Sequence, residues 1–164
     1  AMGTGVGGAI INNGKIYRGT NGSAGEMGHA SLVPFGKPCP CGNQGCLETY
    51  VSGTAIEQHY FELSGEHKKG KDIFKEEDEY SKIVVADFLK YLNVALANIA
   101  NTFAPDAIVL SGGVVGSLDR FMDKIQKDAQ ETALAANKDV KVLQSKLLSD
   151  AMILGAASTI FTEI

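Results

Sequence analysis

The sequence predicts an α/β domain. Three observations carry that expectation: a long helical stripe, short apolar strands on either side of helix-like segments, and turn signals between them. "GTGVGGAIINNGKIYRG" reads as a glycine loop running into a strand near Ala9 to Ile11. A turn at Asn12-Asn13-Gly14 and a return strand from Lys15 to Arg18 follow, because Asn-Gly between apolar runs is a strong hairpin signal. The segment "TNGSAGEMGHASLVPFGKPCPCGNQGC" holds too many glycines and prolines for a regular element and is expected as a long ordered loop. A helix from Thr54 to about Ser64 comes next, and the polar run "GEHKKGKDIFKEED" reads as a surface excursion because it has no steady period.

Val84, Phe88, Leu92, Leu96, Ile99 and Phe103 then recur at three- and four-residue steps, which lays one apolar stripe along a long helix. Pro105 is expected to end it, since the residue before a proline avoids helical geometry. "DAIVLSGGVVG" reads as a strand entering a Gly-Gly turn, Leu118 to Ala135 as a helix, and Val140 to Leu143 as a last strand. Asp150 is expected to cap a closing helix "AMILGAASTIF", whose small residues suit close packing on a neighbour.

The 164 residues are 45% hydrophobic and 21% charged, which suits one domain with its own core. With 15 basic and 19 acidic residues the net charge is -4, and no lysine cluster is interleaved with aromatics, so nucleic-acid contact by this segment is disfavoured. No apolar run of membrane-spanning length and no charged-then-apolar leader stands out, so neither insertion nor secretion is suggested. Ala1 and Met2 read as a cloning scar. Because a glycine-rich loop normally follows a strand and Gly3 has none before it, the residues are expected to be the later part of a longer protein.

All three cysteines lie in "GKPCPCGNQGCLE", Gly36 to Glu48. An odd number of thiols cannot pair off completely, and a disulfide framework would scatter them, so metal binding is the first expectation; unpaired thiols also fit a reducing cytoplasm. Cys39, Cys41 and Cys46, spaced C-x-C-x4-C, need only a compact turn to aim three thiolates at one point. His29, ten residues before Cys39 and reached through a loop, is the best fourth ligand; His59 and His67 follow in helical or polar sequence. A Cys3His zinc site is closed and tetrahedral, hence structural. Glu26 lies three residues before His29 and Glu48 two beyond Cys46, so one ion on His29 and Cys46 would draw both carboxylates together.

Taken in order, "GTGVGGAII", "AGEMGH", "CPCGNQGCLE" and "SGGV" resemble the successive motifs of the ROK family of sugar kinases and sugar-responsive repressors, over nearly the whole chain. The resemblance implies the C-terminal lobe of an actin-like (RNase H-like) ATPase fold with a zinc-braced loop, spanning residues 3–164, with the zinc loop at about 20–48 and nucleotide-side segments at 3–8 and 111–114. It implies that Glu26 and Glu48 accept hydrogen bonds from sugar hydroxyls, and that His29 touches the sugar with one ring nitrogen and zinc with the other. Gly3, Thr4 and Gly5 resemble the loop that approaches ATP phosphates, although Ala9 stands where the family often has another glycine. Gly112 and Gly113 resemble the segment along the adenosine.

The resemblance further implies a hexose, glucose first, as substrate, MgATP as donor, a homodimer or higher homo-oligomer, and a cytoplasmic setting. The catalytic carboxylate and a D-x-G-G-T phosphate loop belong, in the family, to sequence before Gly3, so this portion alone is expected to be inactive. The alternative is the sugar-sensing and dimerising part of a ROK repressor, whose helix-turn-helix would lie upstream.

Overall fold

The computed structural model describes residues 1–158, so Thr159, Ile160 and Phe161 of the expected closing helix lie outside the described residues. Strand β1 (Ile10–Asn12) and strand β2 (Lys15–Tyr17) pair antiparallel, with Asn12 opposite Lys15. Both turn residues, Asn13 at φ 51° and Gly14 at φ 74°, adopt the positive φ that a two-residue hairpin of this hand requires. Residues 18–47 contain one 3₁₀ turn, Met27–His29, and two isolated bridges, Ser31 with Cys46 and Pro38 with Gln44. Helices α1 (Glu48–Val51) and α2 (Gly53–Ser64) follow without a break in direction of sequence, separated by Ser52, whose hydroxyl accepts from Ala55 N at 3.1 Å and starts α2.

The polar run after α2 departs from expectation. It forms a short helix, α3 (Gly70–Ile73), and drives Ile73 and Phe74 into the core, where the Phe74 ring meets Phe88 edge-on with centroids 5.1 Å apart. Two adjacent apolar residues in a charged run have no period to reveal them, yet they anchor the whole segment. Its end is tied down too: Asp78 caps the next helix by accepting from Ser81 N at 2.9 Å and Ser81 Oγ at 2.6 Å, and from Lys68 Nζ at 2.9 Å.

That helix, α4 (Glu79–Phe103), is the spine of the domain. Val84, Phe88, Leu92 and Leu96 are buried along it as the stripe requires, together with Leu89, Ala95 and Ala100. Ile99 is only half-buried and Phe103 is exposed, because the buried face turns toward alanines in the last two turns and leaves these two lining surface hollows. By length and a mean hydropathy of 1.5, α4 would suffice to cross a membrane, contrary to the sequence reading; half of that window is buried inside the domain, as a core helix demands. Ala104, at φ 42°, ends it before Pro105.

Strands β3 (Ala107–Leu110) and β4 (Lys141–Gln144) pair in parallel, Ala107 opposite Lys141, and α5 (Met122–Thr132) connects them. The helical period expected from Leu118 is therefore shorter, its first residues forming 3₁₀ turns. Gln126 stitches α5 to β4, donating to Val140 O at 2.9 Å and accepting from Val142 N at 2.6 Å. In α6 (Asp150–Ser158), Asp150 is itself the first helical residue rather than a residue ahead of the helix, and no described residue of α6 is buried; the expected close packing is absent among the described residues.

The hairpin and the parallel pair are separate two-stranded sheets. Met2 lies between them: its N–H donates to Ser111 O at 2.7 Å, its carbonyl accepts from Val114 N at 3.1 Å, and it bridges Val6. Read as a scar in sequence, Met2 is buried in the core. Below it the facing edges of β1 and β3 bound a groove of about 340 Å³ floored by Leu92, Leu96 and Ile99.

The Ser81 hydroxyl first, and then Lys68, hold the Asp78 carboxyl well below the usual carboxylate range, while Glu76 chiefly raises Lys68. A depressed folded-state pKa stabilises above the unfolded value and loses that contribution as pH falls through the folded one. Asp78→Ala should therefore lower the melting temperature by several degrees at pH 7, and the gap from wild type should narrow below about pH 4, as seen in thermal unfolding followed by circular dichroism. A gap that is independent of pH would contradict the assignment.

Candidate functional site

His29, Cys39, Cys41 and Cys46 converge, with one donor atom from each lying within 4.8 Å of all the others. His29 Nδ1 is 3.7 Å from Cys39 Sγ, and Cys41 Sγ is 3.7 Å from Cys46 Sγ. Such spacing is far beyond the ~2.05 Å of a disulfide. It matches the edge of a tetrahedron, about 3.7 Å, whose corners are thiolates ~2.3 Å from a central zinc. The backbone turn that presents the sulfurs is closed by Cys39 N to Asn43 O at 2.9 Å and Gly45 N to Lys37 O at 2.8 Å. Gly45, at φ +75°, has no alternative, since a β-carbon there would be driven into the Val33 carbonyl.

Burial pushes the Cys46 thiol up to about 12, with the Cys39 and Cys41 sulfurs adding to it, whereas a backbone N–H at Asn43 lowers Cys41. A cation held by this set displaces thiol protons, so its affinity falls as pH falls. His29 Nε2 has no partner among the described residues.

Glu48 begins α1 two residues past Cys46, and its Oε2 accepts from Val6 N at 2.7 Å. The carboxylate thus lies directly on the glycine loop. Gly5 is required for that approach, because a β-carbon would collide with the Glu48 carboxylate. The loop is fixed from its other side by α2: Gly53 N donates to Gly3 O at 2.7 Å and Thr54 Oγ1 to Thr4 O at 2.9 Å. The N–H groups of Thr4 and Gly113 donate to no acceptor among the described residues. Both residues line one open cavity of about 720 Å³, walled also by Gly3, Ile56 and Phe74. Gly112, at φ +99°, sits beside it and donates to Leu148 O at 3.3 Å.

Of the residues singled out in sequence, the structure therefore unites the four metal-type donors, joins Glu48 to the Gly5–Val6 loop, and sets Gly3, Thr4 and Gly113 around one cavity. Glu26 is exposed and lines a different hollow of about 350 Å³, with Met27, Asn98 and Phe103. Glu48 lines another, of about 480 Å³, with Thr4 and Lys37. Sequence reasoning missed the brace from Gly53 and Thr54, and also Lys69 and Lys71 on the wall of the large cavity; the only signal for these lysines was their charge in an aperiodic run.

The profile of the ROK family matches residues 1–163. The chain belongs to the ROK family. It is 39% identical over 151 residues to a glucokinase of Halalkalibacterium halodurans, covering 81% of this chain and 46% of that protein. Its fold matches the crystal structure of a ROK family glucokinase from Streptomyces griseus in complex with glucose and AMPPNP, with a TM-score of 0.85 and 29% identity over 96% of this chain and 58% of that one. It also matches a ROK family transcriptional regulator, a homologue of the E. coli MLC protein, with a TM-score of 0.79 and 29% identity over 95% of this chain and 43% of that one. The chain spans about half the length of the relatives it matches.

The contact between Glu48 and the loop is directly testable. Gly5→Ala should cost about 1–3 kcal/mol in urea unfolding and remove the exchange protection of the Val6 amide, because the added methyl displaces the carboxylate. A protected Val6 amide in that variant would contradict the arrangement.

Proposed function

We propose that this ROK chain is the lobe of a sugar kinase that positions a hexose and the phosphates of MgATP for phosphoryl transfer. The observation that supports this reading is the bond from Val6 N to Glu48 Oε2, which joins the carboxylate read as sugar-binding to the glycine loop read as phosphate-binding. In the reaction a sugar hydroxyl oxygen forms a bond to the γ-phosphorus, the bond from that phosphorus to the β-bridging oxygen breaks, and the hydroxyl proton passes to a carboxylate base. In this reading Glu48, held by the Val6 N–H, and Glu26, exposed beside His29, orient sugar hydroxyls, and the base comes from elsewhere in the protein. The free N–H groups of Thr4 and Gly113 supply neutral donors to the nucleotide.

His29, Cys39, Cys41 and Cys46 would hold a structural zinc, which when bound crosslinks the loop and fixes the imidazole. With Nδ1 turned to the thiols, Nε2 is the nitrogen left for a sugar hydroxyl. The similarity to a transcriptional regulator supports a second reading, a sugar-sensing lobe. Unpartnered phosphate-type donors in a 720 Å³ cavity favour the kinase, because a sensor has no use for them.

Cys41→Ser should reduce bound zinc from one per chain to a small fraction by elemental analysis, and lower the melting temperature by more than ten degrees or so, given the large folding contribution of such sites. Full zinc retention would contradict the four-donor assignment. In calorimetry, Glu48→Gln should weaken glucose binding by about tenfold or more while leaving ADP within about twofold, in line with a lost charge-assisted bond. Equal losses for both ligands would remove Glu48 from the sugar site.

A further inference from the structure

The basic run His67 to Lys71 has no part in the reading above. Its three lysines behave differently. Lys68 is committed to the fold: it pairs with Glu76 and Asp78 and lies 4.5 Å from the centre of the Tyr60 ring. Lys69 and Lys71 instead line the 720 Å³ cavity that Thr4 and Gly113 also line, and among the described residues they are the only cationic side chains on its wall. Among the described residues the cavity has one acidic side chain, Glu57, whose Oε1 accepts from Gly70 N at 3.0 Å and whose Oε2 is 3.5 Å from Lys69 Nζ. Lys71 has no ion pair among the described residues. The described wall is therefore net positive in a chain whose overall charge is -4.

We infer that Lys69 and Lys71 are the cationic contacts to the phosphates of a nucleoside di- or triphosphate held in this cavity, an inference that rests on the nucleotide half of the proposed function. The glycine loop offers only neutral N–H donors, and bonds from an ammonium to a phosphate oxygen are about twice as strong. Val114, only partly buried, adds an apolar side chain to the wall of the same cavity. Side-chain freedom does not defeat the contact, because the backbone that carries both lysines is fixed: Ile73 and Phe74 are buried beneath it, and Glu57 clamps Gly70 between them. The burial of that apolar pair, out of place in a surface excursion, thus acquires a purpose in presenting two ammonium groups to the cavity. Glu57 limits Lys69 to sharing its charge, which leaves Lys71 as the stronger of the two contacts.

The test is titration calorimetry of this chain with Mg-ADP and with adenosine, for wild type, Lys69→Ala/Lys71→Ala, Lys71→Met and Lys69→Arg/Lys71→Arg. The double alanine variant should bind Mg-ADP at least about tenfold more weakly, Lys71→Met about threefold to tenfold, and adenosine should stay within about twofold throughout. The arginine pair should restore most of the ADP affinity, and melting temperatures should hold, since neither side chain packs in the core. ADP affinity unchanged by the alanines, or ADP and adenosine weakened alike, would overturn the inference and leave the nucleotide cavity standing. Failure of wild type to bind Mg-ADP would instead overturn the cavity reading, and the lysine assignment with it.

Discussion

The convergence of His29 with Cys39, Cys41 and Cys46 is the constraint on which the rest of the site depends. Between Arg18 and Cys46 the buried residues are Gly28, Cys39, Gly45 and Cys46, and Leu32 packs against the core while only partly buried, so the loop adds little apolar burial of its own. Backbone turns and two isolated bridges shape it, and the four converging donors are where a metal crosslink would add to them. Cys46 then passes its position on through a rigid connection: two residues later Glu48 opens α1, and its carboxylate reaches the Val6 amide.

The rest of the domain holds the other half of that contact in place. Helix α4 supplies the largest block of buried side chains, and α2 lies on it while reaching across with Gly53 and Thr54 to fix Gly3 and Thr4. The parallel pair β3 and β4 delivers Ser111 to Val114 to the same region, where Met2 ties them to the start of the chain. The Glu48 carboxylate and the glycine loop thus meet where four separate segments converge. No single element carries the site.

What the sequence disclosed, and what it hid, follows from the range of each interaction. Asn13-Gly14 specified the hairpin because positive φ is a local property of two residues. The metal-type set was legible because its cysteines fall within one turn and the histidine was the nearest in a loop. The apolar stripe of α4 was legible through Leu96 and failed at Ile99 and Phe103, where a regular period continued but the core did not. Ile73 and Phe74 could not be told from surface residues in a run of lysines and glutamates. The reach of Glu48 to Val6, across 42 positions, and the brace of Thr54 on Thr4, across 50, exist only after folding.

X-ray absorption at the zinc edge on zinc-loaded protein bears most directly on the convergence of those four donors. Three sulfurs at about 2.3 Å and one nitrogen at about 2.0 Å, at one zinc per chain, is the expected spectrum. A first shell of oxygen and nitrogen alone, or a sulfur count below three, would contradict it.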